Sequence, residues 1–306
     1  MAAEAYAAHV RLLVQVLPFV AEEACFALKG GTAINLFYRD LPRLSVDIDL
    51  TYLPVKDRND SLAEIDAALD RIARRIEAAL PNTRAPRIAG GNDGETRFLV
   101  RQGGVEVKVE TSPVTRGVVN EPTRRAVMSA VEDAFGFAEM PIVAFEDLFG
   151  GKIHAALDRQ HPRDLYDVKL LYEHEGLTEA LFRTFLVYAA SSPRPLHEIL
   201  RPTLKPLDEP YAQEFEGMTR QPVPIADLVK VRARLIDDLA ARFGHPIGGF
   251  LLGLHDATPD FGLIGLPQAA ALPAVRWKLL NLERLKRENP AKHAEQRALL
   301  EAVIGR

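Results

Sequence analysis

Residues 25–53 read CFALKGGTAINLFYRDLPRLSVDIDLTYL. The apolar run Cys25 to Leu28 has the character of a short strand, and Lys29-Gly30-Gly31 interrupts it with residues suited to a tight turn. Thr32 is placed to cap the segment that follows, in which Ala33, Leu36 and Phe37 share one helical face. Pro42 closes that segment. In SVDIDLTYL the alternation puts Val46, Ile48 and Leu50 on one side of a strand and Asp47 and Asp49 on the other. The order is strand, glycine turn, helix, loop, strand.

Upstream, residues 4–24 carry apolar positions at helical spacing. Downstream, residues 61–80 form a strongly amphipathic helix, with Ser61 as its cap and Pro81 as its stop. The strands TRFLVR and VEVKVE then make a hairpin-like region punctuated by glycines 90, 91, 94, 103 and 104. Beyond Pro141 the periodicity becomes helical, over 144–158, 164–174, 178–190, 226–243, 270–288 and 291–304. Prolines 193, 195, 202, 206, 210, 222 and 224 mark an irregular connector inside this half. The expected organisation is an α+β domain over 1–140 and a mainly helical domain over 141–306.

The chain has 306 residues, 47% hydrophobic and 26% charged, enough apolar material for about two ordinary cores. A formal net charge of -4 excludes a protein that coats nucleic acid through uniform positive potential. Cys25 is the only cysteine, which rules out an internal disulfide and a thiolate zinc cluster. The N-terminal stretch carries Glu4 where a signal peptide carries positive charge, and Arg11, Gln15 and Pro18 break its apolar run. With no long uncharged apolar stretch elsewhere, the chain reads as cytoplasmic and away from the membrane.

Two carboxylates one residue apart on a strand face the same way, so Asp47 and Asp49 can share hard cations that prefer oxygen ligands. Residues without Cβ let backbone N–H groups approach phosphate oxygens, the complement that Gly30 and Gly31 supply. Either feature alone is common. Together with Thr32, Arg43 and Ser45 between them, they point to phosphoryl or nucleotidyl transfer, whose demands are positioning and charge neutralisation. Glu110 at the end of VEVKVE is the better candidate for a third acid, Glu106 the other; a solvated sheet face is the ordinary reading of that strand's charges.

The segment KGGTAINLFYRDLPRLSVDIDL resembles the first motif of the DNA polymerase β-like nucleotidyltransferases, in the form typical of the AbiEii abortive-infection toxins. FEDLFGGKIHAALDRQHPRDLYDVKLL is similar to that family's second and third motifs. PDFGLIGLPQAAALPAVRWKLLNLERLKRENPAKH resembles the closing region more weakly. The resemblance implies a polymerase β-like domain with a mixed sheet flanked by helices, followed by a mainly helical domain. It implies NMP transfer from an NTP to a hydroxyl, with Mg²⁺ or Mn²⁺ held by Asp47, Asp49 and a third carboxylate; that acid is commonly an aspartate in the family, and Glu110 or Glu106 stands for it here. Gly30, Gly31, Thr32, Arg43 and Ser45 would line the nucleotide, with Lys152, Arg159, Arg163 and Asp167 from the second segment. In that scheme Lys152 contacts the triphosphate and Asp164 is an essential polar group; Glu110, as the third acid, would bind one metal and help deprotonate the acceptor. The acceptor implied is the tRNA 3′ end, and the partner a cognate antitoxin.

Competing expectations are nucleotidylation of a protein or small molecule, and a catalytically silent module that binds antitoxin or RNA. At residue level, Arg163 and Asp167 could form only an exposed i,i+4 pair, with Lys152 solvated. His154 and His161 have poor spacing for a metal. The basic end, with Arg276, Lys278, Arg284 and Lys286, could touch a phosphate backbone; otherwise it forms solvated helices with Trp277, Leu280 and Leu285 packed inward.

Overall fold

The computed structural model describes residues 2–88 and 96–305, so glycines 90, 91 and 94 lie outside the described residues. The chain divides into two compact units, 1–144 and 145–306. The first contains α1 (Ala2–Ala21), β1 (Phe26–Lys29), α2 (Gly30–Ala33), β2 (Ile48–Tyr52), α3 (Arg58–Ala79) and β3 (Thr83–Arg84). β4 (Arg87–Ile88), β5 (Arg97–Gln102), β6 (Val105–Thr111), β7 (Thr123–Ala126), α4 (Ser129–Phe135) and β8 (Glu139–Ile142) follow.

One mixed sheet runs in the order β3-β5-β6-β2-β1-β8-β7, with β4 also on β5. β1 pairs antiparallel with β2, while β2–β6 and β1–β8 are parallel. Phe98, Val100, Val107 and Val109 on β5 and β6 are fully buried. Alternation puts them on one face, and α1 packs on β6 while α3 packs on β5. The same alternation sends Glu106, Lys108 and Glu110 to the opposite face. The expected mixed sheet flanked by helices is the fold of this unit.

Two expected caps are corrected. Thr32 is the third residue of α2, whose N-cap is Lys29 with no side-chain bond. Its hydroxyl instead donates to the Asp47 carbonyl, because the preceding Gly30 has already made the turn at φ 76°. Ser61 lies inside α3, which starts a turn earlier, and its hydroxyl donates to the Lys56 and Asp57 carbonyls. After α2 the backbone widens into a π-helical turn, Ile34–Tyr38.

The second unit holds α5 (Phe145–Asp158), α6 (Pro162–His174), α7 (Glu179–Ala190), α8 (Leu196–Leu200) and α9 (Asp208–Glu214). α10 (Ile225–Ala240), α11 (Ile247–His255), α12 (Pro273–Glu288) and α13 (Pro290–Val303) complete it. α5 crosses α7 closely because Gly150 puts no side chain there: a Cβ would stand 3.2 Å from the Phe185 backbone nitrogen. Tyr188 on α7 donates to Asp147 on α5 at 3.0 Å. His255 and His293, both buried, join α11 to α13 by reciprocal ring-to-carbonyl bonds of 2.9 and 3.1 Å. Each carbonyl requires an Nε2–H, which sets both tautomers.

The expected inward face of α12 is also corrected. Trp277 and Leu280 are 60% and 58% exposed, while Lys278 is buried and donates to the Arg194 carbonyl. Ala274, Val275 and Leu282 supply the packed face instead, so the helix is turned relative to its largest residues. No described helix is long and apolar enough to cross a membrane.

Candidate active site

The motif of residues 29–50 is assembled by strand register. Lys29 on β1 is opposite Asp49 on β2, Asp49 is opposite Glu110 on β6, and Glu110 is opposite Arg97 on β5. Directly opposite residues present side chains to the same face. Four adjacent strands therefore carry the row Lys29, Asp49, Glu110, Arg97, cation–acid–acid–cation. All four line one pocket of about 370 Å³, with Leu50, Thr96, Thr111, Ser112 and Pro113. That size lies within the range of small-ligand sites.

Glycine packing sets the other flank of Asp49. A Cβ on Gly30 would lie 2.5 Å from Asp49 Oδ2, and one on Gly31 would lie 2.7 Å from both Arg43 Nη2 and Ser45 Oγ. Gly30 also has a positive φ of 76°, and a Cβ on Gly31 would have to displace the ends of the Arg43 and Ser45 side chains, so the turn lies directly against the acid, the guanidinium and the hydroxyl. Thr32 Oγ1 and Ser45 Oγ are 3.2 Å apart. Asn35, fully buried, organises the intervening loop: it donates to the Gly31 carbonyl at 2.7 Å and accepts from the Arg43 amide at 3.3 Å. Arg43 is buried and donates to the Leu44 carbonyl.

Burial raises the Asp49 carboxyl above its ordinary range, Glu110 and Asp47 add to the rise, and Lys29 opposes it. Burial lowers the Lys29 ammonium against the pull of Asp49 and Glu110. Asp47 is half-exposed just ahead of β2. The Lys108 ammonium lies 3.0 Å from Glu110 and 3.9 Å from Asp47. A cation thus already occupies the gap between these acids, and the donor set is all hard oxygen, which suits a divalent ion of the magnesium kind. The carboxylates are spread more loosely than His255, Asp256 and His293, which form a trio with donor atoms within 4.8 Å. That trio's rings are committed to carbonyls and its Asp256 to Arg297.

Glu110 joins Asp49 in the pocket, whereas Glu106 is exposed further along β6 and pairs with Arg101. Lys29, Arg97 and Asn35 were missed by sequence reasoning. Lys29 was visible as the residue before the glycines, but its neighbours across the sheet depend on a parallel β2–β6 pairing that local periodicity cannot reveal.

In the second unit, Lys152 on α5 is held by Asp164 and Asp167 on α6, at 2.7 and 2.9 Å. All three are buried, and Arg159, largely exposed, caps Asp164. Burial works against the charged Asp164, yet Lys152 and Arg159 outweigh it and hold the carboxyl well below its usual range. The exposed pair considered for Asp167 and the solvated Lys152 are both corrected, since periodicity did not reveal that α5 and α6 face each other here. Arg163 is half-buried at the start of α6, where its amide donates to the His161 ring. His154 is largely enclosed and depressed by burial, apart from this cluster.

A mixed sheet with a glycine turn packed against Asp49 on β2, and Asp47 just ahead of that strand, is the arrangement the nucleotidyltransferase resemblance implied. The sequence model of the AbiEii family, described as nucleotidyl transferase AbiEii toxin of a type IV toxin–antitoxin system, matches residues 11–279. The chain belongs to that family and is a nucleotidyltransferase toxin, which implies a nucleoside triphosphate substrate and an antitoxin partner. Its fold is similar to that of MenT4, a nucleotidyltransferase toxin from Mycobacterium tuberculosis H37Rv, with TM-score 0.59. The likeness covers 96% of this chain and 93% of that one at 17% identity, and it is one of fold. No curated protein matches the sequence.

Proposed function

We propose that this toxin transfers a nucleoside monophosphate from an NTP to a hydroxyl at the 3′ end of tRNA, in the cytoplasm and with Mg²⁺. The observation that carries the reading is Asp49, set between the Gly30–Gly31 turn on one flank and Glu110 on the other. The glycine backbone, Thr32, Arg43 and Ser45 take the nucleotide, and Asp47, Asp49 and Glu110 hold the metal. The ion supplies charge neutralisation on the phosphates and Lewis acidity at the attacked phosphorus.

The acceptor oxygen bonds to the α-phosphorus as the bond to pyrophosphate breaks, and the hydroxyl proton passes to Glu110. Burial and neighbouring acids raise the Asp49 carboxyl, and a divalent ion held there would favour its ionised form. Lys152 and Asp164 are proposed as essential groups, as the family resemblance implies, with Arg159, Arg163 and Asp167 as further nucleotide-binding residues. A cognate antitoxin restrains the reaction.

The test is to incubate the purified protein with each labelled NTP, Mg²⁺ and total tRNA, beside an Asp49→Asn control. Transfer to tRNA by wild type and loss of it in the variant support the reading. Label found only on protein or small molecules moves the acceptor, and no label beyond the control refutes the proposal.

A further inference from the structure

The 370 Å³ pocket runs along the whole row, from Lys29 beside the glycine turn, past Asp49, to Glu110 on β6 and Arg97 on β5. Transfer at phosphorus proceeds with attacking and leaving oxygens in line on opposite sides of the phosphorus. If the triphosphate lies on the Gly30–Gly31 flank of Asp49, pyrophosphate departs on that flank and the acceptor enters from the other. The other flank is the end of the pocket lined by Glu110 and Arg97. Its composition suits a charged acceptor: Arg97 stands across from Glu110, with Thr96 and Ser112 in the lining and Leu50 and Pro113 as apolar wall. A guanidinium presents paired donors that match a phosphate, and a serine or threonine acceptor on a protein carries no such group.

We infer that the Glu110–Arg97 end of this pocket is the acceptor subsite, and that Arg97 selects an RNA end by binding the phosphodiester next to the terminal ribose while Glu110 faces that ribose's hydroxyl. The inference rests on the proposed nucleotidyl transfer to RNA and adds the residue that chooses the acceptor. Lys29, at the far end of the row beyond Asp49, is left to the nucleotide side.

The experiment measures steady-state transfer with wild type, Arg97→Gln and Arg97→Lys, varying tRNA and NTP separately. Circular dichroism and thermal melting check the fold of each variant. Arg97→Gln should raise the KM for tRNA about tenfold or more, the loss of one charge-assisted phosphate contact, with the KM for NTP within about twofold. Arg97→Lys, which keeps charge but not the paired donors, should fall between them. A second readout needs no turnover: fluorescence anisotropy of a 5′-labelled single-stranded oligoribonucleotide with a free 3′-hydroxyl should weaken in the same order. A tRNA KM unchanged in both variants overturns the inference while leaving the proposed function intact, as does a rise in the KM for NTP instead. Failure of wild type to label any RNA refutes the proposed function itself, and the subsite with it.

Discussion

Gly30 combines two demands that no other residue meets. Its φ of 76° is a left-handed conformation, and a Cβ there would stand 2.5 Å from Asp49 Oδ2. Gly30→Ala should lower stability by about 1–3 kcal/mol from backbone strain alone. Displacing Asp49 should also reduce transfer to the level of the Asp49→Asn control; denaturant titration and the labelling assay measure the two effects. Wild-type activity in Gly30→Ala would mean that the turn and the acid are not coupled. The sequence disclosed the glycines and the Asp-x-Asp, because turn chemistry and alternation are local. It did not disclose Asn35, whose amide bridges Gly31 and Arg43 across a loop that has no period to read.

At the scale of elements, the packing of α5 on α6 rests on one buried ammonium and two buried carboxylates. Lys152→Met removes the ammonium that both buried acids share, leaving Arg159 on Asp164, and should cost about 3–5 kcal/mol, the usual consequence of breaking a buried pair from one side. Arg159→Gln should cost far less, since its side chain is 61% exposed. Equal losses in the two variants, measured by denaturant unfolding, would contradict this assignment. The long amphipathic helices α3, α7 and α10 were legible from their apolar spacing. α11 was not: IGGFLLGLH is apolar all round and holds three glycines, so it has no polar face to set a period. β7 and β8 escaped notice as well, being four-residue strands defined by their partners and not by composition. The face of α12 was misjudged because Trp277 was assigned to the core by size, while the buried Lys278 meets its needs through a carbonyl.

For the molecule as a whole, that lysine ties folding stability to alkaline pH. Burial brings Lys278 down to about 8 from an ordinary 10.5, against the pull of Glu198. Between those values the folded chain carries a neutral amine and the unfolded chain a protonated one, so the unfolded state binds more protons and stability rises with pH. The gain from this group is complete near pH 10.5, is lost as pH falls to 8, and amounts to about 3 kcal/mol. Unfolding free energies across that window should climb more steeply for wild type than for Lys278→Met, and parallel slopes would contradict the assignment. The row Lys29, Asp49, Glu110, Arg97 has its own consequence for the chain as it is made. Its members come from positions 29 to 110 and meet only when β2 and β6 pair in parallel, a long-range step. A nascent polypeptide still threading from the ribosome without Glu110 cannot assemble that row, so the pocket it lines closes only once β6 has been made.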